Sequence, residues 1–337
     1  MGGRALKSIV TKRIQKVEFL NLSKTVIKVL KRYFANVEIP RYYFTKESFG
    51  DIDIVVGIDS EYIMDNLNEI IITEFKPNEI FKNGNCWSFD INNVQIDIII
   101  VLNKDFESTL VYNSFNDLGN YVGRLAHYMG GRYGSEGFWV TYYYKDTKNK
   151  IMISKEQEKI YEFLGLDFNR WLKGFDTLEE IFQFISESPY FNWTKFQLEE
   201  LNRINRERNL KRVSYMSFLD WIDNNVSDDE HKYEHNLSDI ELYKRIDDFF
   251  PEANLFDEIA RIEYEVSKSK YAAILFNGRH VIDKFGLEGK ELGQAMSGFK
   301  EYINDQFGDF NETTIKFGTE NMLEEFDYYY KGKCVIG

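Results

Sequence analysis

The stretch Asp51-Ile52-Asp53-Ile54-Val55-Val56 constrains this chain most, because it sets two carboxylates at i and i+2 within a run rich in β-branched residues. A strand sends alternate side chains to opposite faces, so Asp51 and Asp53 share one face while Ile52, Ile54 and Val56 enter a core on the other. The spacing predicts a strand that is buried below and charged above. A further carboxylate belongs with these two. In Trp87–Val101, Asn92-Asn93 reads as a hairpin turn and Asp97 interrupts an otherwise apolar returning strand. With the two strands as neighbours, three carboxylates converge.

Carboxylates crowded together repel and raise one another's pKa unless a cation neutralises them. Hard divalent ions take oxygen ligands, and Mg²⁺ is commonly held by one or two carboxylates together with substrate phosphates. Two such ions about 3.5–4 Å apart serve an in-line phosphoryl displacement by activating the attacking hydroxyl and stabilising the leaving oxygen. The pattern therefore predicts two Mg²⁺ or Mn²⁺ ions and nucleotidyl transfer.

Gly50-Asp51-Ile52-Asp53 with its apolar continuation, followed later by the apolar-Asp97-apolar strand, resembles the palm of the DNA polymerase beta nucleotidyltransferase superfamily, nearest to poly(A) polymerases and tRNA CCA-adding enzymes. The resemblance implies that Asp51 and Asp53 hold both metals and that Asp97 helps activate a primer 3′-hydroxyl. It also implies an NTP donor, release of pyrophosphate, and an RNA or other nucleic-acid 3′ end as acceptor, tRNA included. The family usually carries a Gly-Ser pair upstream of the first Asp, where backbone and hydroxyl bind the nucleotide's phosphates. Here that place reads Pro40-Arg41-Tyr42, and Arg41, Lys46 and Ser48, beside Gly50, are the expected substitutes. Two other readings stay open. The same palm chemistry can modify DNA ends, protein hydroxyls or small molecules, and the missing Gly-Ser also fits a nucleotidyltransferase-like nucleic-acid-binding protein without catalysis.

A chain of 337 residues is long enough for two or three domains, each with a sizeable core. Aromatics at 16% argue against a disordered chain, and the absence of a run of 18 apolar residues predicts no membrane partner. Met1–Lys7 carries no long apolar segment ahead of a small-residue cleavage site, so a cytoplasmic protein is expected. Cys86 and Cys334 lack metal-ligand spacing and are read as reduced thiols. A net charge of −13 argues against adhesion to nucleic acid by global charge, yet leaves room for a local basic groove that tracks phosphates. Nothing in the sequence fixes the oligomeric state.

The fold class expected is α+β, a small mixed-sheet palm over 1–153 followed by a mainly helical part over 154–337, with 226–236 as a point of further division. Lys12–Phe34 has apolar residues at helical spacing. Ser60–Asn68 reads as a helix, Glu69–Phe75 as an apolar strand closed by Pro77, and Phe138–Ile153 as another hairpin. Between Phe115 and Gly137, glycines alternate with Arg124 and Arg132, a composition suited either to nucleotide contact or to a tightly packed helix with Gly turns. The helices expected after Ser154 include Lys195–Asn205, Asn254–Ser267 and Ala272–Lys284, and Ser227–Glu230 reads as an exposed acidic loop. Arg203, Arg206, Arg208, Lys211 and Arg212 form the densest basic cluster and are the expected nucleic-acid contacts. Tyr215, Phe218 and Trp221 follow at helical spacing, which fills a core stripe more often than it stacks bases. Finally, Phe276–Met296, an Asn-Gly turn leading through a helix and a Gly-rich turn to a second helix, is similar to a helical region of bacterial CCA-adding enzymes and poly(A) polymerases that packs near RNA.

Overall fold

The computed structural model describes residues 5–60, 66–226 and 233–334. The chain begins with β1 (Ile14–Gln15), α1 (Lys16–Leu30), β2 (Asn36–Glu38) and β3 (Ser48–Phe49), then enters β4 (Asp51–Ile58). Helix α2 (Leu67–Phe75) and strands β5 (Ile80–Asn83), β6 (Cys86–Ile91) and β7 (Val94–Leu102) follow. These make a mixed five-stranded sheet in the order β2-β4-β7-β6-β5, with β4 and β7 parallel and the other pairs antiparallel. Alternation along β4 and β7 works as predicted. Ile52, Ile54, Val56, Ile96, Ile98 and Ile100 are fully buried in one core, into which α1 sends Phe19, Val26 and Leu30. The hairpin turn at Asn92 and Asn93 has φ of 52° and 64°, the left-handed pair that matches strand twist.

Residues Glu69–Phe75 are helical and not a strand. Leu67 and Ile71 are buried one turn apart while Ile72 is exposed, so a run short enough to suit either period is decided by the sheet face it covers. The helix expected at Ser60–Asn68 falls largely on 61–65, outside the described residues, as does the loop expected at Ser227–Glu230.

Next come α3 (Phe106–Asn113), α4 (Leu118–Tyr128) and a separate three-stranded sheet of β8 (Arg132–Gly134), β9 (Gly137–Tyr144) and β10 (Thr147–Ser154). The glycine-rich stretch is thus a packed helix, entered through left-handed Phe115 and Asn116 and left through Gly130 at φ 84°. Then follow α5 (Gln157–Phe163), α6 (Phe168–Lys173), α7 (Leu178–Ser186), α8 (Arg203–Asn209), α9 (Val213–Asn225) and α10 (Asp239–Phe249). The helix expected at Lys195–Asn205 is replaced by two 3₁₀ turns, Trp193–Phe196 and Leu198–Glu200, ahead of α8. Asn192 and Asn202 explain the break, since each side chain accepts a backbone N–H and starts a new turn.

Packing does not divide the chain at 153. One unit joins Met1–Thr141 to Lys150–Leu255, and the other joins Tyr142–Asn149 to Phe256–Gly337. The physical cause is an aromatic core in which Tyr121 of α4 meets Phe182, Phe196, Tyr215 and Phe218, so α7 and α9 belong with the unit that bears the five-stranded sheet. Residues 233–236 are stitched to the same unit, Tyr233 N–H donating to Phe191 O at 3.0 Å.

The second unit consists mainly of α11 (Leu255–Leu275), α12 (Gly278–Phe285), α13 (Gly289–Phe307) and α14 (Phe310–Cys334), the last broken at Gly318. The two helices expected within Asn254–Lys284 are divided later than predicted. α11 runs unbroken to Leu275 and Asn277 caps α12. Phe276, Val281, Phe299 and Phe326 lie in its core. Among the described residues no helix is long and apolar enough to cross a membrane.

Candidate active site

Register between β4 and β7 brings the acidic residues together. Asp53 lies opposite Asp97 and Asp51 opposite Gln95, all on the face away from the isoleucine core. One carboxylate oxygen from each of Asp51, Asp53 and Asp97 lies within 4.8 Å of the others. Gln95 Nε2 donates to both Asp97 oxygens at 2.9 Å, and Ser88, opposite Asp97 on β6, adds a further hydrogen bond. Burial raises the Asp97 carboxyl to about 6 with help from the charge of Asp51, while Ser88 and Gln95 restrain the rise. Burial, with Asp51 and Asp97 adding to it, holds Asp53 well above the ordinary carboxylate range. The same sources push the nearby Cys86 thiol up to about 12. Three crowded oxygen donors, whose mutual repulsion a hard divalent cation relieves, can hold a metal ion.

Asp51 and Asp53 open into a cleft of two lobes that share these two residues with Lys46, Asn116, Asp117 and Arg212, while Asp97 is buried and lines neither lobe. The narrower lobe, about 320 Å³, is walled by Phe19, Tyr42, Tyr112, Asn113 and Asn120. The wider, about 720 Å³, is walled by Arg13, Tyr43, Ser48, Gly50 and Lys211. Arg208 lines both. Lys46 lines both lobes and interacts electrostatically with Asp51 and Asp53. Its Nζ donates to Asn116 Oδ1 at 2.9 Å and sits over the Phe49 ring. Burial lowers its pKa, and Asp51 and Asp53 push it back up. Asn116 is presented by two successive left-handed residues, Phe115 (φ 57°) and itself (φ 60°), an uncommon conformation for a bulky side chain that the α3–α4 turn enforces.

Of the basic residues expected to touch nucleic acid, Arg208, Lys211 and Arg212 line this cleft. Arg212 pairs with buried Asp117, the residue before α4, which also accepts the Ser214 hydroxyl and so fixes the α8–α9 turn beside the triad. Arg206 has a different job. Its guanidinium donates to the carbonyls of Leu198 at 2.8 Å, Glu199 at 3.1 Å and Leu201 at 3.2 Å, tying α8 to the turn before it. Arg203 is exposed and pairs with Glu207 along α8. Arg124 donates to Lys195 O, and Arg132 Nη1 to Gly131 O at 2.8 Å. Neither is among the residues that line the lobes. Arg41 does line the narrower lobe, but its Nη1 donates to Trp171 O at 3.0 Å and its guanidinium lies over the rings of Phe115 and Trp171.

Sequence reasoning missed Arg13, Asn113, Asn116, Asp117 and Asn120. Asn113, Asn116 and Asn120 recur at a helix-like interval, a pattern that was available, but nothing in the sequence ties them to Asp51. Asn120 is notable because its Nδ2 is buried without a hydrogen-bond partner. Comparison with protein-family models finds no match for this chain, and no curated protein matches it.

Proposed function

We propose that this chain is a metal-dependent nucleotidyltransferase of the polymerase beta type, with the five-stranded sheet as its palm, adding nucleotides from an NTP to the 3′ end of RNA, tRNA among the candidates. The observation that carries the reading is one cleft lined by Asp51 and Asp53, on which buried Asp97 converges from β7, together with Lys46, Arg208, Lys211 and Arg212. Asp51, Asp53 and Asp97 would hold two divalent ions, which when bound supply charge neutralisation at the phosphates and lower the pKa of the attacking hydroxyl. The chain's own residues do the rest by position. Gln95 and Ser88 keep the Asp97 carboxylate oriented, Lys46 adds a cation that lines both lobes, and the α8–α9 turn brings further cations beside it.

A basic rim favours a polyanionic acceptor over a cationic small molecule, because it attracts phosphates and repels amines. Incubation with each α-labelled NTP, Mg²⁺ or Mn²⁺, and a panel of tRNA, single-stranded RNA, DNA primers and proteins tests this. Label on RNA supports the reading, label on another acceptor changes the acceptor, and no label on any leaves a binding protein.

A further inference from the structure

The loop that stands in the place of the Gly-Ser phosphate element has few backbone donors to offer. Arg41 N–H donates to Ser114 Oγ at 2.9 Å, Phe44 N–H to Phe175 O at 2.9 Å, Thr45 N–H to Asp176 O at 2.9 Å and Lys46 N–H to Tyr43 O at 3.1 Å. Pro40 has no N–H at all. The Arg41 guanidinium is spent on Trp171 O and two aromatic rings. The amides of Arg41, Phe44, Thr45 and Lys46 are therefore committed within the protein and not turned to a phosphate. Cations gather instead in the wider lobe next to the triad.

We infer that the triphosphate is held by side-chain cations drawn from three separate segments: Arg13 ahead of β1, Lys46 in the loop before β3, and Lys211 with Arg212 in the α8–α9 turn. This rests on the transferase reading for its ligand, and it assigns Arg13 a role that no motif announces. Arg13 is oriented from behind, since its Nε donates to Ser48 Oγ at 3.0 Å and one Nη to Ser48 O at 2.9 Å. A guanidinium carries five N–H donors, so three remain for phosphate oxygens. Ser48 accordingly acts by positioning Arg13, and its hydroxyl accepts from that side chain. Arg212 is oriented in the same manner by Asp117. Two guanidinium groups pre-set by hydrogen bonds lose little freedom on binding, and with Lys46 and Lys211 they supply four positive charges to a ligand of three linked phosphates.

Such a site recognises linked phosphates irrespective of the base. Equilibrium titration of the full chain with inorganic tripolyphosphate in Mg²⁺, which screens the Asp51 and Asp53 carboxylates in the same lobe, measures affinity for linked phosphates, and the same titration with a nucleoside monophosphate measures the base and sugar. Tripolyphosphate is expected to bind more tightly than the monophosphate, and Arg13→Gln and Lys211→Gln each to weaken it about tenfold, which is about 1.4 kcal/mol. Ser48→Ala keeps every cation and is expected to weaken binding less than Arg13→Gln. Circular dichroism on each variant excludes misfolding, and Arg13→Lys separates charge from fork geometry by restoring only part of the loss. Tripolyphosphate affinity unchanged in both Gln variants, or no tripolyphosphate binding by the wild type, overturns the inference. Tripolyphosphate bound with these sensitivities, but no nucleotide transfer to any acceptor, retains the clamp and removes the transferase reading. Transfer by a chain whose tripolyphosphate affinity ignores Arg13 and Lys211 does the reverse.

Discussion

Asp53 on β4 stands directly across a parallel strand pair from Asp97 on β7, and Asp51 joins them from the same face of β4. Strand register is fixed by the buried isoleucines on the opposite face, so the carboxylates cannot separate without unpacking the core. Electrostatic cost is thereby built into the fold.

That cost makes an opposed pair of effects on one substitution. Asp97→Asn removes a carboxyl whose pKa is raised to about 6, so the metal-free chain is expected to gain on the order of 2–3 kcal/mol at pH 8. Transfer is expected to fall by at least about 10²-fold. Denaturant unfolding in a chelator, paired with a primer-extension assay, checks both. A variant that loses stability as well as activity contradicts the account of the site as destabilising.

Stability should depend on pH with a definite sign. Asp53 and Asp97 bind protons more tightly folded than unfolded, so their favourable contribution is complete below the unfolded carboxyl pKa and is lost as pH rises through about 6 and above. In a chelator the melting temperature should fall across that window. Mg²⁺ competes with protons for the same oxygens, so the rise in melting temperature that it gives should be larger at pH 8 than at pH 5. An equal Mg²⁺ effect at both values places the ion elsewhere.

The basic residues divide into two groups that salt can tell apart. Arg208→Gln should lower the slope of log affinity against log salt for single-stranded RNA by about 0.7, the loss of one phosphate contact. Arg206→Gln should leave that slope unchanged and cost about 1–2 kcal/mol of stability, because its guanidinium holds three carbonyl oxygens.

Asn120 lines the narrower lobe and carries a buried Nδ2 with no partner, a donor that a turn of the side chain brings to whatever occupies the lobe. A nucleoside that presents an acceptor there gains about 1–3 kcal/mol over one that does not. Asn120→Leu is expected to compress the ratio of kcat/KM between the best and worst NTP about tenfold or more, read from the four NTPs in parallel; an unchanged ratio removes Asn120 from selection.

What could be read from the sequence was what repeats at a fixed period or turns at a fixed residue. β4, β7, the Asn92-Asn93 hairpin and the carboxylate triad all followed from alternation, and Arg208, Lys211 and Arg212 from local charge density. What escaped was set by partners far along the chain. α2 is a helix because Leu67 and Ile71 cover the sheet, and α9 joins the first unit because Tyr121 meets Tyr215 and Phe218. Arg13 and Asn120 reach the cleft only through folding, and Arg206 differs from its basic neighbours in the three carbonyl oxygens that it holds, which charge density along the chain does not encode.

The most direct test of the central claim is transfer of an α-labelled nucleotide in Mg²⁺ to an RNA ending in a 3′-hydroxyl, compared with the same RNA ending in a 3′-deoxy nucleotide, by the wild type and by Asp51→Asn/Asp53→Asn. Label on the hydroxyl-ended RNA with the wild type alone is the predicted result. Equal labelling by the double variant, or no labelling of RNA by either protein, contradicts it.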